Sequence, residues 1–136
     1  MLKKMMRSSL MLLSLIVLAG CSMSASEKTS LERSLKQNVD GFVSGSVQNH
    51  LDNVLELTDG SFSSPDSLKD HLTKSWPERS TVTGGEIASM SWVGEGTAKV
   101  KVNWAFQTGN VMSYTSETFV WILKGGSWKY QGRALR

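Results

Sequence analysis

The stretch GEIASMSWVGEGTAKVKVNWAFQTGNVMSYTSETFVWILKGGSWKYQGRAL, residues 85–135, decides the fold. From Val82 onward the apolar residues recur every second position, in four runs separated by Gly94-Glu95-Gly96, Thr108-Gly109-Asn110 and Lys124-Gly125-Gly126-Ser127. Each separator carries the glycine or asparagine that a tight hairpin needs. Val100, Val102, Trp104 and Phe106 alternate with Lys99, Lys101, Asn103 and Ala105, which assigns an inner and an outer face. Phe119, Trp121 and Leu123 share one side of their run while Val120 and Ile122 share the other, so that strand is predicted to be central or covered on both sides. The stretch reads as an antiparallel meander.

Upstream the period changes to that of a helix. Leu31, Leu35, Val39, Phe42/Val43, Val47, Leu51, Val54 and Leu57 fall three and four apart and form one apolar stripe. Gly41 and Gly45 interrupt it, each costing about 1 kcal/mol relative to Ala, which predicts two helices meeting near residues 44–46 or one helix bent there. In Thr58-Asp59-Gly60-Ser61-Phe62, Gly60 suits a left-handed turn and Phe62 is expected to begin a short edge strand. The next helix is announced by Ser64 as cap, Pro65 at the first helical position and Asp66 at the positive end of the dipole. Leu68, Leu72 and Trp76 would share its buried face, and Pro77 would close it. Helices followed by a meander give an α+β fold, N-terminal helices packed on a curved antiparallel sheet, as one domain over residues 31–136.

The chain has 136 residues and a formal charge of +3. Lys3, Lys4 and Arg7 precede an apolar run, and from residue 21 onward 12 basic residues face 12 acidic ones. That balance argues against a nucleic-acid partner. The charge is unevenly spread, however: residues 21–98 hold 6 basic and 11 acidic residues, whereas residues 99–136 hold 6 basic residues and only Glu117. One cysteine permits no internal disulfide, and no Cys/His cluster has the spacing of a zinc site, so no metal and no cofactor are expected.

Residues 1–20 have the parts of a secretory signal: the basic start, an apolar core from Leu10 to Leu18, and small Ala19 and Gly20 at the junction. The core is about half the roughly 20 residues that span a bilayer. Leu18-Ala19-Gly20-Cys21 resembles the lipobox of bacterial lipoproteins. That resemblance implies cleavage before Cys21 and lipid attachment to its thiol, and several acyl chains at about 0.8 kcal/mol per buried methylene make a stable anchor. Ser22, where an Asp would retain a lipoprotein in the inner membrane, implies the periplasmic face of the outer membrane. Residues 22–30, small and polar, are expected to form a flexible tether with a coil dimension of about 15–20 Å.

The whole pattern from Leu31 resembles the nuclear-transport-factor-2-like superfamily, including its polyketide-cyclase-like and ketosteroid-isomerase-like branches. The resemblance is carried by HLDNVLELTDGSF (50–62), SPDSLKDHL (64–72) and FVWILKGGSWKYQGRAL (119–135). It implies a sheet rolled around a cone-shaped pocket, in whose enzymes Asp, His, Tyr or Arg serve as acid, base or electrophile. Here the inward sets Val100/Val102/Trp104/Phe106 and Phe119/Trp121/Leu123 are apolar, with Glu117 and Tyr114 toward the mouth. His50 and His71, the two histidines, are read as helix residues satisfying local hydrogen bonds, and Asp52, Asp59 and Asp70 as solvated surface groups. Residues two apart point to different sides of a helix, so Asp52 is a poor partner for His50.

His50, Trp104, Glu117 and Trp121 are therefore the candidate pocket residues, Cys21 is the lipid-attachment site, and no residue is assigned a catalytic role. Five tryptophans, Trp76, Trp92, Trp104, Trp121 and Trp128, fill a core or line an aromatic pocket. The leading expectation is a membrane-anchored, non-enzymatic protein binding an envelope partner protein or a small apolar ligand. The alternatives are an isomerase-, cyclase- or dehydratase-type enzyme using His50 with Asp52 or Glu117, and a structural subunit of an envelope assembly.

Overall fold

A computed structural model describes residues 24–134; Cys21 and the signal segment lie outside the described residues. The order is α1 (Ala25–Val47), α2 (Leu51–Leu55), α3 (Pro65–Thr73), β1 (Thr81–Gly94), β2 (Thr97–Thr108), β3 (Val111–Lys124) and β4 (Ser127–Arg133). The four strands make one antiparallel sheet in the order β1-β2-β3-β4, closed by the three hairpins expected from the glycine-bearing turns. The fold is α+β, with helices packed on a curved open sheet.

The chain divides into two compact units at Glu32/Arg33. In the first, residues 25–30, expected as a flexible tether, are helical. The cause is a reciprocal capping box: the Glu27 N–H donates to Ser24 Oγ at 3.2 Å, and the Ser24 N–H donates to Glu27 Oε1 at 3.0 Å. Two otherwise orphaned donors are satisfied at once, so the helix starts well before its apolar stripe.

Within the second unit, α1 runs through Gly41 and Gly45 without a break. Gly45 is there for space: a Cβ would stand 2.5 Å from Val54 Cγ2 of α2. The helix stops later than expected, at a Schellman motif. Asn49 adopts φ 62°, the His50 N–H reaches Gly45 O at 2.8 Å and the Asn49 N–H reaches Ser46 O at 3.3 Å. Leu35, Val39, Phe42 and Val43 of α1 and Val54 of α2 are buried. Phe42 stacks on Tyr130 at 4.5 Å and meets Trp121 and Phe119 edge-on at 5.4 and 6.0 Å, which sets α1 against the inner face of the sheet.

α3 begins as expected, with Ser64 as cap, Pro65 in the first turn and a capping box completed by Ser67. It ends at Thr73, so Trp76 lies beyond the helix, yet its ring still packs on Trp104 and Phe106, at 5.3 Å from each. No strand forms at Phe62. The strand-like contact falls earlier, as a bridge between Thr58 and Tyr130, with the Tyr130 N–H donating to Leu57 O at 2.7 Å. Gly60, at φ 97°, then turns the chain away, and Phe62 lies against the rings of His71 and Tyr130 instead.

The alternation in β2 is as expected: Val100, Val102, Trp104 and Phe106 are fully buried while Lys99 and Lys101 are exposed. In β3, Phe119 and Trp121 are buried, and Val120, Ile122 and Leu123 are partly so. β3 is a central strand, paired on both sides.

Candidate functional site

The inner face is less apolar than the sequence leads one to expect, because two features of register bring charged and phenolic groups onto it. The first is parity. Glu117 is in phase with Phe119 and Trp121, hence inward, whereas Tyr114 is out of phase and 73% exposed. The second is a bulge in β4. Trp121 pairs with Tyr130 but Val120 pairs with Gly132, so Gln131 is skipped. Gly132 takes φ 154°, and Arg133 becomes the direct cross-strand partner of buried Phe119, on the same face. Strict alternation from Trp128 and Tyr130 would have sent Arg133 outward.

The result is a polar cluster where α3, the segment after it and the β3/β4 ends meet. Glu117 Oε2 accepts from Arg133 Nε at 2.8 Å and from the Ser75 hydroxyl, and its Oε1 accepts from the Trp104 indole N–H at 3.1 Å. Arg133 Nη2 donates to Leu72 O at 3.1 Å and to Ser75 Oγ at 2.9 Å. Its Nη1 stands 3.3 Å from His71 Nε2 and 3.5 Å from Nδ1, and His71 Nε2 is 2.6 Å from the Tyr130 hydroxyl. The carboxylate side chain is 8% exposed and the guanidinium side chain 26%.

Burial, followed by the neighbouring Arg133 charge, holds His71 below its ordinary pKa of 6.5, against a smaller opposing pull from Glu117. A guanidinium can only donate, so its approach to the ring also requires the neutral imidazole. Burial pushes the Tyr130 hydroxyl above its usual value. The His71–Tyr130 pair is thus neutral on both sides near pH 7, and the one ionised carboxylate is engaged by three donors. Chemically this is a fastener: it joins α3 to the last two strands through a satisfied network.

Of the residues singled out from the sequence, Trp104 and Glu117 are brought together. Trp121 is buried beside Phe42 and Tyr130, with an indole N–H that finds no acceptor. His50 is not part of the cluster. It caps α2 at the surface, and its side chain makes no hydrogen bond or ion pair among the described residues. Asp52 is exposed, as expected. His71, read as a bland helix residue, and Arg133, not singled out at all, are central. The alternation signal that exposed Glu117 could not reach Arg133 across the bulge, although the Gln131-Gly132 pair before it is the kind of place where a strand slips register. Among the described residues no three His, Cys, Asp or Glu side chains converge to hold a metal ion.

Separate from the cluster, a cleft of about 250 Å³ opens between the end of α1, α2, α3 and the start of β1, with Trp76 in its wall. A shallower groove of about 460 Å³ runs between α1 and Gly84-Gly85 of β1.

No protein-family profile and no curated protein sequence matches the chain. Solved structures do resemble it. A domain of unknown function with a cystatin-like fold from Nostoc punctiforme superposes with TM-score 0.54 at 8% identity, over 84% of this chain and 81% of that one. A SEC-C motif containing protein from Rhodopseudomonas palustris gives TM-score 0.51 at 17% identity, over 68% and 71%. An NTF-2-like protein of unknown function from Shewanella oneidensis gives 0.49 at 12%, over 73% and 93%. At such identities the likeness extends to the fold alone, a helix-on-curved-sheet α+β domain shared with the cystatin-like protein.

Proposed function

We propose that the chain is an envelope lipoprotein, anchored through Cys21 on the periplasmic face of the outer membrane, whose NTF2-like domain binds an envelope partner protein or a small apolar ligand and catalyses no reaction. The anchoring half rests on the signal segment and Leu18-Ala19-Gly20-Cys21. One observation carries the binding half: Glu117, the inward carboxylate of the sheet, already accepts from Arg133, Ser75 and Trp104. A general base needs a lone pair free for substrate, and three of the roughly four acceptor sites of this carboxylate are already taken, both of those on Oε2 among them.

Labelled fatty acid supplied to cells should enter the wild-type chain and be missing from Cys21→Ala, whose product should be unprocessed or soluble. Label persisting in that variant would overturn the anchoring. A second reading, a pocket enzyme of the isomerase or cyclase kind, draws on the 2.6 Å contact between His71 and Tyr130. Full rescue of a deletion phenotype by folded His71→Gln and Glu117→Gln proteins supports binding; complete failure of either, while folded, supports the enzyme.

A further inference from the structure

We propose that the open edge of β1, where α1 runs beside it, takes up an extended peptide segment of a partner protein as a fifth strand of the sheet. The proposal rests on the binding reading above and selects the protein partner over the small ligand. A sheet in the order β1-β2-β3-β4 has two edges. The β4 edge is already engaged: the Tyr130 N–H donates to Leu57 O at 2.7 Å, and the Asp59 N–H donates to Tyr130 O at 3.1 Å. β1 has no such cover. Among the described residues, the backbone of residues 84–91 finds no hydrogen-bond partner outside β2. Every second residue of an antiparallel edge strand turns both its N–H and its C=O away from its one neighbour. The run therefore offers donors and acceptors together, at strand spacing, and an extended backbone is the chemistry that pairs with both; a small apolar ligand pairs with neither.

Most of the devices that blunt an edge are missing from β1, which runs for 14 residues without a proline, lysine or arginine. Bulges are the exception. Its register slips between Val82 and Gly84 and again between Ile87 and Ser89, so residues 84–87 and 89–92 form two short flat ladders. Each slip bends the strand, which cuts short a long edge-to-edge pairing with a second copy but leaves room for a segment of about four residues, roughly 13 Å. α1 supplies the second wall. Gly85 lets it come close, since a Cβ there would stand 2.7 Å from Val43 Cγ1. The groove so formed, about 460 Å³, has Val43 and Val47 on its apolar side and exposed Asp40, Ser44 and Gln48 along α1. At roughly 30 Å³ for each water-sized group it holds on the order of 15 non-hydrogen atoms, about two residues with their side chains. An added strand turns alternate side chains toward Val43 and Val47 and the others toward solvent. The segment recognised thus alternates apolar and polar residues and carries no proline where its N–H meets β1.

The probe is the capped peptide acetyl-Lys-Thr-Val-Thr-Val-Thr-Lys-amide, titrated by calorimetry into the full lipidated chain in zwitterionic phospholipid nanodiscs, with empty nanodiscs as the blank. Saturable one-to-one binding is expected with a Kd below about 1 mM. Two isomers carry N-methyl groups on the two valines or on the first two threonines, at equal charge. One set of alternate nitrogens faces β1, so one isomer should bind at least about tenfold more weakly and the other within about threefold of the parent. Hydrogen–deuterium exchange read by mass spectrometry should show about half the amides of residues 84–91 exchanging fast in the free chain and slowing at least about tenfold at saturation. Ser44→Trp fills the groove from the exposed side of α1 and should abolish binding with the circular dichroism spectrum retained. Absence of saturation above the blank, equal behaviour of the two isomers, or unchanged exchange at residues 84–91 would each overturn the proposal. So would slow exchange of that run before peptide is added, which would mean that a second copy already covers the edge, and so would binding that survives in folded Ser44→Trp. If Ser44→Trp does not fold, the isomers and the exchange decide. Failure here leaves the anchoring and the non-catalytic reading standing, since those are read by fatty-acid labelling and by the His71 and Glu117 variants.

Discussion

Replacing Glu117 with Gln keeps the volume and one carbonyl oxygen and removes the charge, which makes it a measured probe of the fastener. The Trp104 N–H, 3.1 Å from Oε1, keeps its acceptor if the new amide turns that way. The other end then presents an NH2 group to Arg133 Nε, formerly 2.8 Å from a carboxylate oxygen. Ser75 can rotate its hydroxyl to accept, but the guanidinium can only donate, so it loses its counter-charge. A hydrogen bond between charged groups is worth about 1.5–3 kcal/mol, and leaving one partner of a buried pair unmatched costs about 3–5. Arg133 is 26% exposed, so water recovers part of that, and the expected loss is about 2–3 kcal/mol. At about 4 °C per kcal/mol for a domain near 100 residues, Tm should fall by roughly 8–12 °C when unfolding is followed by far-UV circular dichroism. A double-mutant cycle with Arg133→Gln should show a coupling of about 1.5–2 kcal/mol. A Tm within about 2 °C of wild type, or strict additivity in the cycle, would mean that the carboxylate is not held as described and is free for other work.

Two further outcomes concern the sheet and the histidine. Trp104→Ala should destabilise by about 3–5 kcal/mol, against no more than roughly 0.5 for exposed Lys101→Ala, and equal costs in urea unfolding would mean that the strand faces are misassigned. His71 is held below 6.5 in the folded chain, so as pH falls through about 6.5 the unfolded chain takes up a proton that the folded chain refuses. Stability should therefore be fully present above that pH and decline toward pH 5, and His71→Gln should show a shallower decline. An unchanged slope would refute the link.

What the sequence by itself determined is what depends on local pattern. The period-two runs, the three glycine-bearing hairpins and the Ser64-Pro65-Asp66 start are each decided within a few residues, because face alternation, turn geometry and capping are local constraints. The inward row of Val100, Val102, Trp104 and Phe106 follows from the same alternation. Other local signals were present but outweighed: Ser24 and Glu27 begin a helix that polarity alone disguised as tether, and Asn49, not Gly45, ends it.

Only the tertiary structure decided the cluster and the cleft. His71 and Tyr130 are 59 residues apart in the chain, and Arg133 reaches Glu117 because β4 skips Gln131 and so reverses its parity. A one-residue slip exchanges the faces of everything beyond it, and nothing in a period-two pattern records where the slip occurs. The partners of the hydroxyls around the cleft became visible in the same way, once the folded chain had assigned Ser46, Thr73 and Ser80 to backbone carbonyls. Which polar groups remain unpaired is settled by all the long-range contacts together, and that is a property of the fold rather than of any segment.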